Sequence, residues 1–322
     1  MKAAIRTQYG SPDVLTIQEV AQPQPKNHEI LVRVQATTVN RTDCGILSGQ
    51  PAIIRLFTGL VKPKLATTGT DFTGEVQVVG KNVSRFKVGD KVWGFNDNGL
   101  SSHAEYLTIA EDQPIAIIPK GITYEQAAAS AEGAHYAYNF INKVDLRAES
   151  KVMLNGATGA IGSAALQFLK HVGAHVTATA NTRNIDLIKS LGADRVIDYE
   201  REDFTQDDDT YDFVFDAVGK STFSQCKPLL KPKGVYISSE SGPGAQNPFL
   251  ALFTPIMGGK RVKFPVPLNI PRSLDFTSEL IEANKFRPII DRTYSLDQIQ
   301  EAFHYVSSGQ KTGSVIISLG HD

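Results

Sequence analysis

The stretch KVMLNGATGAIGSAALQF, residues 151–168, constrains the fold of this chain more than any other. It reads as a β run, then three glycines spaced three residues apart, then a helix with Ile161, Ala165, Leu169 and Val172 on one stripe. Glycine lets a backbone turn sharply and lets another group approach it closely, and a helix N-terminus offers N–H groups and the positive end of a dipole. An ordinary tight strand-to-helix turn carries the same glycines, so the context decides. From residue 123 onward strands and helices alternate: HVTATA, NIDLIKSLG, RVIDY, YDFVFDAVG, FSQCKPLLKP, GVYISS and RVKFPV. That alternation is the mark of an α/β, doubly wound parallel sheet with helices on its faces. In this setting the turn reads as a dinucleotide site, with Gly156, Thr158, Gly159, Ala160, Ile161 and Gly162 around the pyrophosphate.

The end of the second strand selects the dinucleotide. An NAD site usually places an acid there for the ribose 2′-OH, whereas an NADP site offers cations. In HVTATANTRNID no acid occurs from His175 through Asn184, and Arg183 lies in the turn. NADPH is therefore expected, with Arg183 forking onto the 2′-phosphate and Asn181 beside it. Tyr199, at a strand end in VIDYERED, is placed to border the same phosphate.

The first 120 or so residues have a different texture. Short β-type runs, among them EILVRVQATTV, GEVQVVG, KVWGF and AEYLTIA, are separated by turn signals such as QPQPKN and VGD, which predicts a β-rich, barrel-like unit. From Tyr124 the Ala-rich segment YEQAAASAEGAHYAYNFINKV has helical spacing. After the last Rossmann-type strand, SLDFTSELIEANK and LDQIQEAFHYVSSG look helical, while PIIDRTYS and TGSVIISL look like strands able to rejoin the first unit. The expected division is 1–122 with 267–322 as one domain and 123–266 as the other. A chain of 322 residues, 41% hydrophobic, is long enough for two cores.

Charge and cysteine content exclude several functions. With 33 basic and 34 acidic residues interspersed, no basic stripe points to nucleic acid. Two cysteines, Cys44 and Cys226, are too few for a disulfide framework or a four-thiolate zinc lobe. No apolar run approaches the ~20 residues of a membrane span, and MKAAIRTQYG has no signal-peptide core, so the expectation is a cytoplasmic protein with small-molecule partners. The run DDD at 207–209 reads as a loop charge cluster.

The ordered motifs GTDFTGEV, FKVGDKVWG, HAEYLTI, the glycine turn, KSLGADRVIDY and YDFVFDAVG resemble the medium-chain dehydrogenase/reductase superfamily over nearly the whole chain. Within it, the sequence is similar to the zinc-independent quinone oxidoreductase group. The resemblance implies a GroES-like β-rich catalytic domain built from the N-terminal part and the tail, a Rossmann domain between them, a cleft where nicotinamide meets substrate, and a homodimer. At the three catalytic zinc positions of the zinc-dependent relatives this chain has Asn40, Thr70 and a position near Glu132, with Cys44 four residues out of frame. Asn and Thr are poor zinc ligands, so no metal site is expected.

Without a Lewis acid, the expected chemistry is hydride transfer from NADPH to an already electrophilic acceptor, a quinone or an α,β-unsaturated carbonyl. By resemblance, Asn40 and Thr42 sit on the segment facing the nicotinamide and are the candidates to stabilise a developing oxyanion. Some relatives carry a tyrosine just beyond the asparagine, but residues 45–51 contain none, which leaves the proton donor open. His135 falls near the nicotinamide ribose in relatives, where it would hydrogen-bond or relay a proton. By the same resemblance, Val218 and Gly219 of the DAVG loop are expected to border the nicotinamide, and Lys311, where the tail folds back in relatives, is expected to reach the cofactor. Two other readings stand beside this one: an NADPH-binding sensor or scaffold with little turnover, and a zinc-dependent alcohol dehydrogenase. The segments 48–64 and 239–257 read as loops that shape the substrate pocket.

Overall fold

Strand Glu29–Val39 is an almost unbroken run of β-branched and apolar residues, and it organises the β-rich part of the molecule. Three strands hydrogen-bond to it: Asp71–Val79, Tyr106–Ala110 and, from the tail, Ser314–Ser318, all antiparallel. The seven-stranded sheet is completed by Lys91–Phe95, Ile115–Ile117 and Ile290–Ser295. Its core gathers Ile30, Val32, Val34, Phe72, Val76, Val92, Phe303 and Val315. The tail strand pairs Val315 with Val39 and Ile316 with Thr38, beside the start of the next helix.

The computed structural model describes residues 1–320, and the chain divides into two units. The first comprises Met1–Glu132, Ile270–Glu282 and the tail from Pro288, and the second comprises Gly133–Asn269 with Ala283–Arg287. This division differs from the expected one at 123. The Ala-rich segment is two helices, Tyr124–Ala129 and Glu132–Ile141, and Ala128 and Ala129 of the first pack against Ala36 and Ile316. Small side chains let that helix lie close on the first unit's sheet, so apolar contact outweighs the change in composition.

The second unit is a six-stranded, all-parallel sheet. Across the sheet the strands run Arg195–Asp198, His175–Ala180, Lys151–Asn155, Tyr211–Asp216, Leu230–Ser238, Arg261–Lys263. The order reverses between Lys151–Asn155 and Tyr211–Asp216, and it is at such a switch point that open α/β sheets bind ligands. Helix Ala160–Val172 buries Ala164, Ala165, Phe168 and Leu169 and ends at Gly173 in the left-handed region. The helix expected over FSQCKPLLKP is only Phe223–Cys226. Pro228 lacks the N–H to continue it. Segments 48–64 and 239–257, expected to be loops, hold helices Ile54–Thr58 and Gln246–Met257. Among the described residues no helix is long and apolar enough to cross a membrane.

Candidate functional site

The three glycines of the turn serve three separate needs. Gly156 has φ +85°, and a Cβ there would lie 2.4 Å from the Val218 side chain. At Gly162 a Cβ would lie 2.1 Å from the Gly156 carbonyl oxygen and 2.8 Å from Ala157 Cα, so only glycine lets the helix sit this close to the strand. Gly159 has an ordinary φ of −75°, and the nearest atom to its Cβ position is 3.9 Å away. Neither conformation nor packing inside the chain requires glycine at that position; what its missing side chain leaves is room in front of the backbone. Gly159 is also the N-cap of helix Ala160–Val172, supplies no capping side chain, and is followed by no acid in the first turn. The N–H groups of Ala160, Ile161 and Gly162 have no intrahelical acceptor, as at any helix start, and no nearby acid opposes an anion. The turn therefore fits a pyrophosphate.

Around the turn, buried hydrogen bonds fix the backbone. Thr179 accepts from the Gly156 N–H at 2.8 Å and donates to Asn155 Oδ1 at 2.8 Å. Asp216, fully buried, accepts from Asn155 Nδ2, the N–H groups of Val218 and Gly219, and the N–H and hydroxyl of Ser221. It is a loop anchor that holds Val218 against Gly156.

At the end of the second strand the sequence-selected residues come together. Asn181 hydrogen-bonds Tyr199, whose phenol is held above its usual range by burial first and then by Glu200, with Arg183 pulling the other way. Arg183 is exposed in the turn Thr182–Asn184, and Tyr199 is half exposed. The neighbouring acids are engaged: Asp198 accepts from the Thr182 hydroxyl at 2.6 Å, and Glu200 accepts from the Thr182 N–H at 3.0 Å.

In the first unit, Asn40 is the N-cap of helix Arg41–Ser48 and forms a reciprocal box with Asp43. Its Oδ1 accepts from the Asp43 N–H at 2.8 Å, and Asp43 Oδ2 accepts from the Asn40 N–H at 3.1 Å. The amide nitrogen donates to Thr70 Oγ1 at 2.8 Å, with Thr38 Oγ1 at 3.3 Å and Asp71 Oδ2 at 3.5 Å. Asn40 is thus committed to setting the start of its helix. Thr42, one turn position on, donates its hydroxyl to Glu132 Oε1 at 3.2 Å.

Buried titratable groups surround this segment. Asp71 accepts from the Thr38 N–H at 2.7 Å and from the hydroxyls of Thr37 and Thr38, yet burial pushes it up to about 6. Asp43 is raised as well, by burial first and then by Asp71. Burial raises Glu132 to about 7, with the charges of Asp71 and Asp97 adding and Lys311 opposing. Lys311 is lowered by burial against the pull of Glu132 and Asp291, and its Nζ donates to the Gly313 carbonyl at 2.5 Å. His103 lies between Thr68 Oγ1 and the Thr38 carbonyl, and burial drops it to about 4, so the ring is neutral. His135 stands in the second unit, fully buried, with Asn139 Nδ2 3.4 Å from its Nε2; burial drops it to about 4. It carries no positive charge near neutral pH.

Comparison with known proteins adds to this geometry. The model of the alcohol dehydrogenase GroES-like domain matches residues 26–135, and that of the zinc-binding dehydrogenase domain matches 191–317. The chain is 32% identical to the chloroplastic quinone-oxidoreductase homolog of Spinacia oleracea, over 96% of this chain and 95% of that protein. It is 31% identical to the 2-methylene-furan-3-one reductase of Solanum lycopersicum, over 98% of this chain and 79% of that protein. The chain belongs to the medium-chain dehydrogenase/reductase superfamily, in its zinc-independent quinone oxidoreductase group. The quinone oxidoreductase of Coxiella burnetii superposes with a TM-score of 0.86 at 26% identity, covering 99% of each chain. Escherichia coli quinone oxidoreductase, solved with NADPH, shares the fold with a TM-score of 0.83 at 24% identity, covering 99% of this chain and 100% of that one.

Medium-chain members with catalytic zinc ligate it at positions that correspond to Asn40, Thr70 and a residue near Glu132 in this chain. Here the Asn40 oxygen caps a helix, the Thr70 hydroxyl accepts from Asn40, and one carboxylate remains. These residues do not fit a zinc ion, and among the described residues no three His, Cys, Asp or Glu are placed to hold a metal. Cys44 packs against the first unit's core with its thiol pushed up to about 11 by burial. Sequence alone did not single out Asp71 or the Thr42–Glu132 contact. The box of Asn40 with an acid three residues on was a visible N-cap signal. A contact between residues 90 apart leaves none in a single sequence.

Proposed function

We propose that this chain is a zinc-independent, NADPH-dependent oxidoreductase that reduces quinones or α,β-unsaturated carbonyls. The reading is carried by one conjunction: a glycine turn open at Gly159, in a chain with Asn40 and Thr70 where zinc-dependent relatives hold ligands. When bound, NADPH supplies a hydride to the acceptor carbon. Gly156, Thr158, Gly159, Ala160, Ile161 and Gly162 cradle the pyrophosphate, and Val218 and Gly219 border the nicotinamide. Asn181, Arg183 and Tyr199 hold the 2′-phosphate. Thr42 donates its hydroxyl to the oxygen that gains charge, on a helix start that Asn40 fixes, and His135 supports its helix as a neutral ring. With no Lewis acid to polarise an alcohol, an acceptor that is already electrophilic fits these residues best. The names of the spinach and tomato relatives support the same two substrate classes.

A steady-state screen of NADPH oxidation with quinones, enones, enals and aldehydes tests the reading. Turnover with quinones or enones supports it, and tight NADPH binding without turnover on any acceptor overturns it. Arg183→Ala is expected to raise the KM for NADPH about 10- to 100-fold, the equivalent of one charge-assisted contact, and to leave NADH nearly unchanged. Equal effects on both cofactors would remove Arg183 from the phosphate site.

We further propose a homodimer formed through the second unit. Phe249, Leu252, Phe253, Ile256 and Met257 recur at helical spacing on Gln246–Met257 and are 58–84% exposed. The adjacent strand Arg261–Lys263 is hydrogen-bonded on one side, by Leu230–Ser238. A contiguous apolar stripe beside an open sheet edge suits a second copy. Phe253→Asp should convert a dimer to a monomer in sedimentation, and a monomeric wild-type protein would remove the proposal.

A further inference from the structure

Reduction of an α,β-unsaturated carbonyl needs a proton as well as a hydride. A threonine hydroxyl is too weak an acid to give its proton away unless another group replaces it. Asp71 is fully buried beneath Thr37 and Thr38, and Asp43 is closed into the Asn40 box. His103 is a neutral ring between Thr68 and Thr38. The Cys44 sulfur accepts from the Ser307 hydroxyl. Glu132 is the one hydrogen-bonded to Thr42, at 3.2 Å, and is itself only 6% exposed.

We propose that Glu132, facing Thr42 and electrostatically paired with Lys311, resupplies the proton that the Thr42 hydroxyl hands to the enolate formed during enone reduction. This inference rests on the reductase reading above. Hydride addition to the β-carbon forms a C–H bond and moves the C=C electron pair onto oxygen. The Thr42 hydroxyl, which donates to Glu132 Oε1 in the free protein, turns to the enolate oxygen and its O–H bond breaks toward that oxygen, while the protonated Glu132 carboxyl now donates to Thr42 Oγ1 and its O–H bond breaks toward it. The product is an enol, which tautomerises to the saturated ketone, and Glu132 is left as a carboxylate that takes its next proton from water. Glu132 acts through Thr42, so it is a positioning residue for that proton.

The charges around the pair suit this work. Asp71, Asp97 and Asp43 favour the protonated carboxyl, and Lys311 stabilises the carboxylate left behind. Lys311 in turn faces Asp291, Cys44 and Arg41. With burial as the largest cause, Glu132 titrates near neutrality instead of in the ordinary carboxylate range. A quinone that accepts hydride becomes a stabilised hydroquinone anion, which depends less on a protein acid, and the two acceptors therefore separate the roles.

The test compares enone and quinone reduction by the wild type and Glu132→Gln. The expected result is an enone kcat loss exceeding the quinone loss by about 100-fold, the usual worth of a positioned acid. The fall of enone kcat/KM above about pH 7 should flatten in the variant, and Lys311→Met should move that fall to higher pH. Thr42→Val should reproduce the selective loss and Thr42→Ser should restore it. Independently of turnover, infrared titration of the cofactor-free protein should show a protonated carboxyl band near pH 7 that Glu132→Gln removes. Equal losses on both acceptors, or an unchanged pH profile, overturn the proposal and leave the reductase reading standing. A wild type that reduces neither acceptor removes both.

Discussion

Gly162→Ala is expected to weaken binding of a nicotinamide dinucleotide at least about 100-fold and to lower stability, whereas Gly159→Ala weakens binding alone. At Gly162 the added methyl would meet the Gly156 carbonyl oxygen at 2.1 Å and Ala157 Cα at 2.8 Å, both backbone atoms held in the turn. Neither yields as a flexible side chain would, so the helix start must move off the strand. That overpacking costs about 1–3 kcal/mol. Displacing the first-turn N–H groups from the pyrophosphate should raise Kd at least about 100-fold, or ~3 kcal/mol. At Gly159 the same methyl finds nothing nearer than 3.9 Å and an ordinary backbone conformation. Its melting temperature should stay within a degree or two of wild type, while the methyl takes the space the phosphates need. Calorimetric titration with NADPH and thermal melts separate the two. A Gly159→Ala protein that binds NADPH normally would show that the pyrophosphate does not approach this backbone.

That contrast marks how far the sequence could be read. The strand, the three glycines and the helix Ala160–Val172 were legible because each is a local pattern with its own period, and the alternation of strands and helices marked the second unit as a parallel sheet. The return of the tail was legible too, since TGSVIISL is too apolar and β-branched to remain at a surface. Helix Gln246–Met257 was not. Pro248 and Pro255 argue against a helix, yet Pro248 lies in the first turn, where its missing N–H has no intrahelical role. The Ala-rich segment broke at Ser130 and Ala131 for a tertiary reason, the fit of Ala128 and Ala129 against Ala36 and Ile316. In the first unit, Asn40 was found by resemblance, but its partners were not. Its amide serves Thr70 and Asp71, some thirty residues away, a pairing that exists only once strands Glu29–Val39 and Asp71–Val79 are in register.

Asp71→Ala is the substitution expected to damage the first unit most. The carboxylate accepts from the Thr37 hydroxyl, the Thr38 N–H and hydroxyl, and the Asn40 amide, all within a fully buried patch. Alanine leaves several donors unsatisfied, at about 1–3 kcal/mol each, so a total near 3 kcal/mol is expected after relaxation. The melting temperature of the unit should fall by roughly 6–12 °C. Asp71→Asn keeps the shape and separates hydrogen bonding from charge. Burial raises Asp71 from 3.8 to about 6, so the folded protein binds more protons than the unfolded chain between those values. The stability this group contributes is complete below pH 4 and is lost as pH rises through 6. Asparagine does not titrate. Its deficit relative to wild type should therefore be largest near pH 4 and should shrink by about 2–3 kcal/mol by pH 7, because each tenfold difference in proton affinity between the folded and unfolded states is worth about 1.4 kcal/mol. His103 has the opposite sign: burial lowers it to about 4, and its contribution grows between pH 4 and 6.5. Because His103 is present in both proteins, it cancels in the difference. Urea unfolding of wild type and Asp71→Asn at pH 4.5 and pH 7.5 reads that difference directly. A deficit that does not change with pH would mean that Asp71 does not titrate in this window, and that its hydrogen bonds hold the charge the burial opposes.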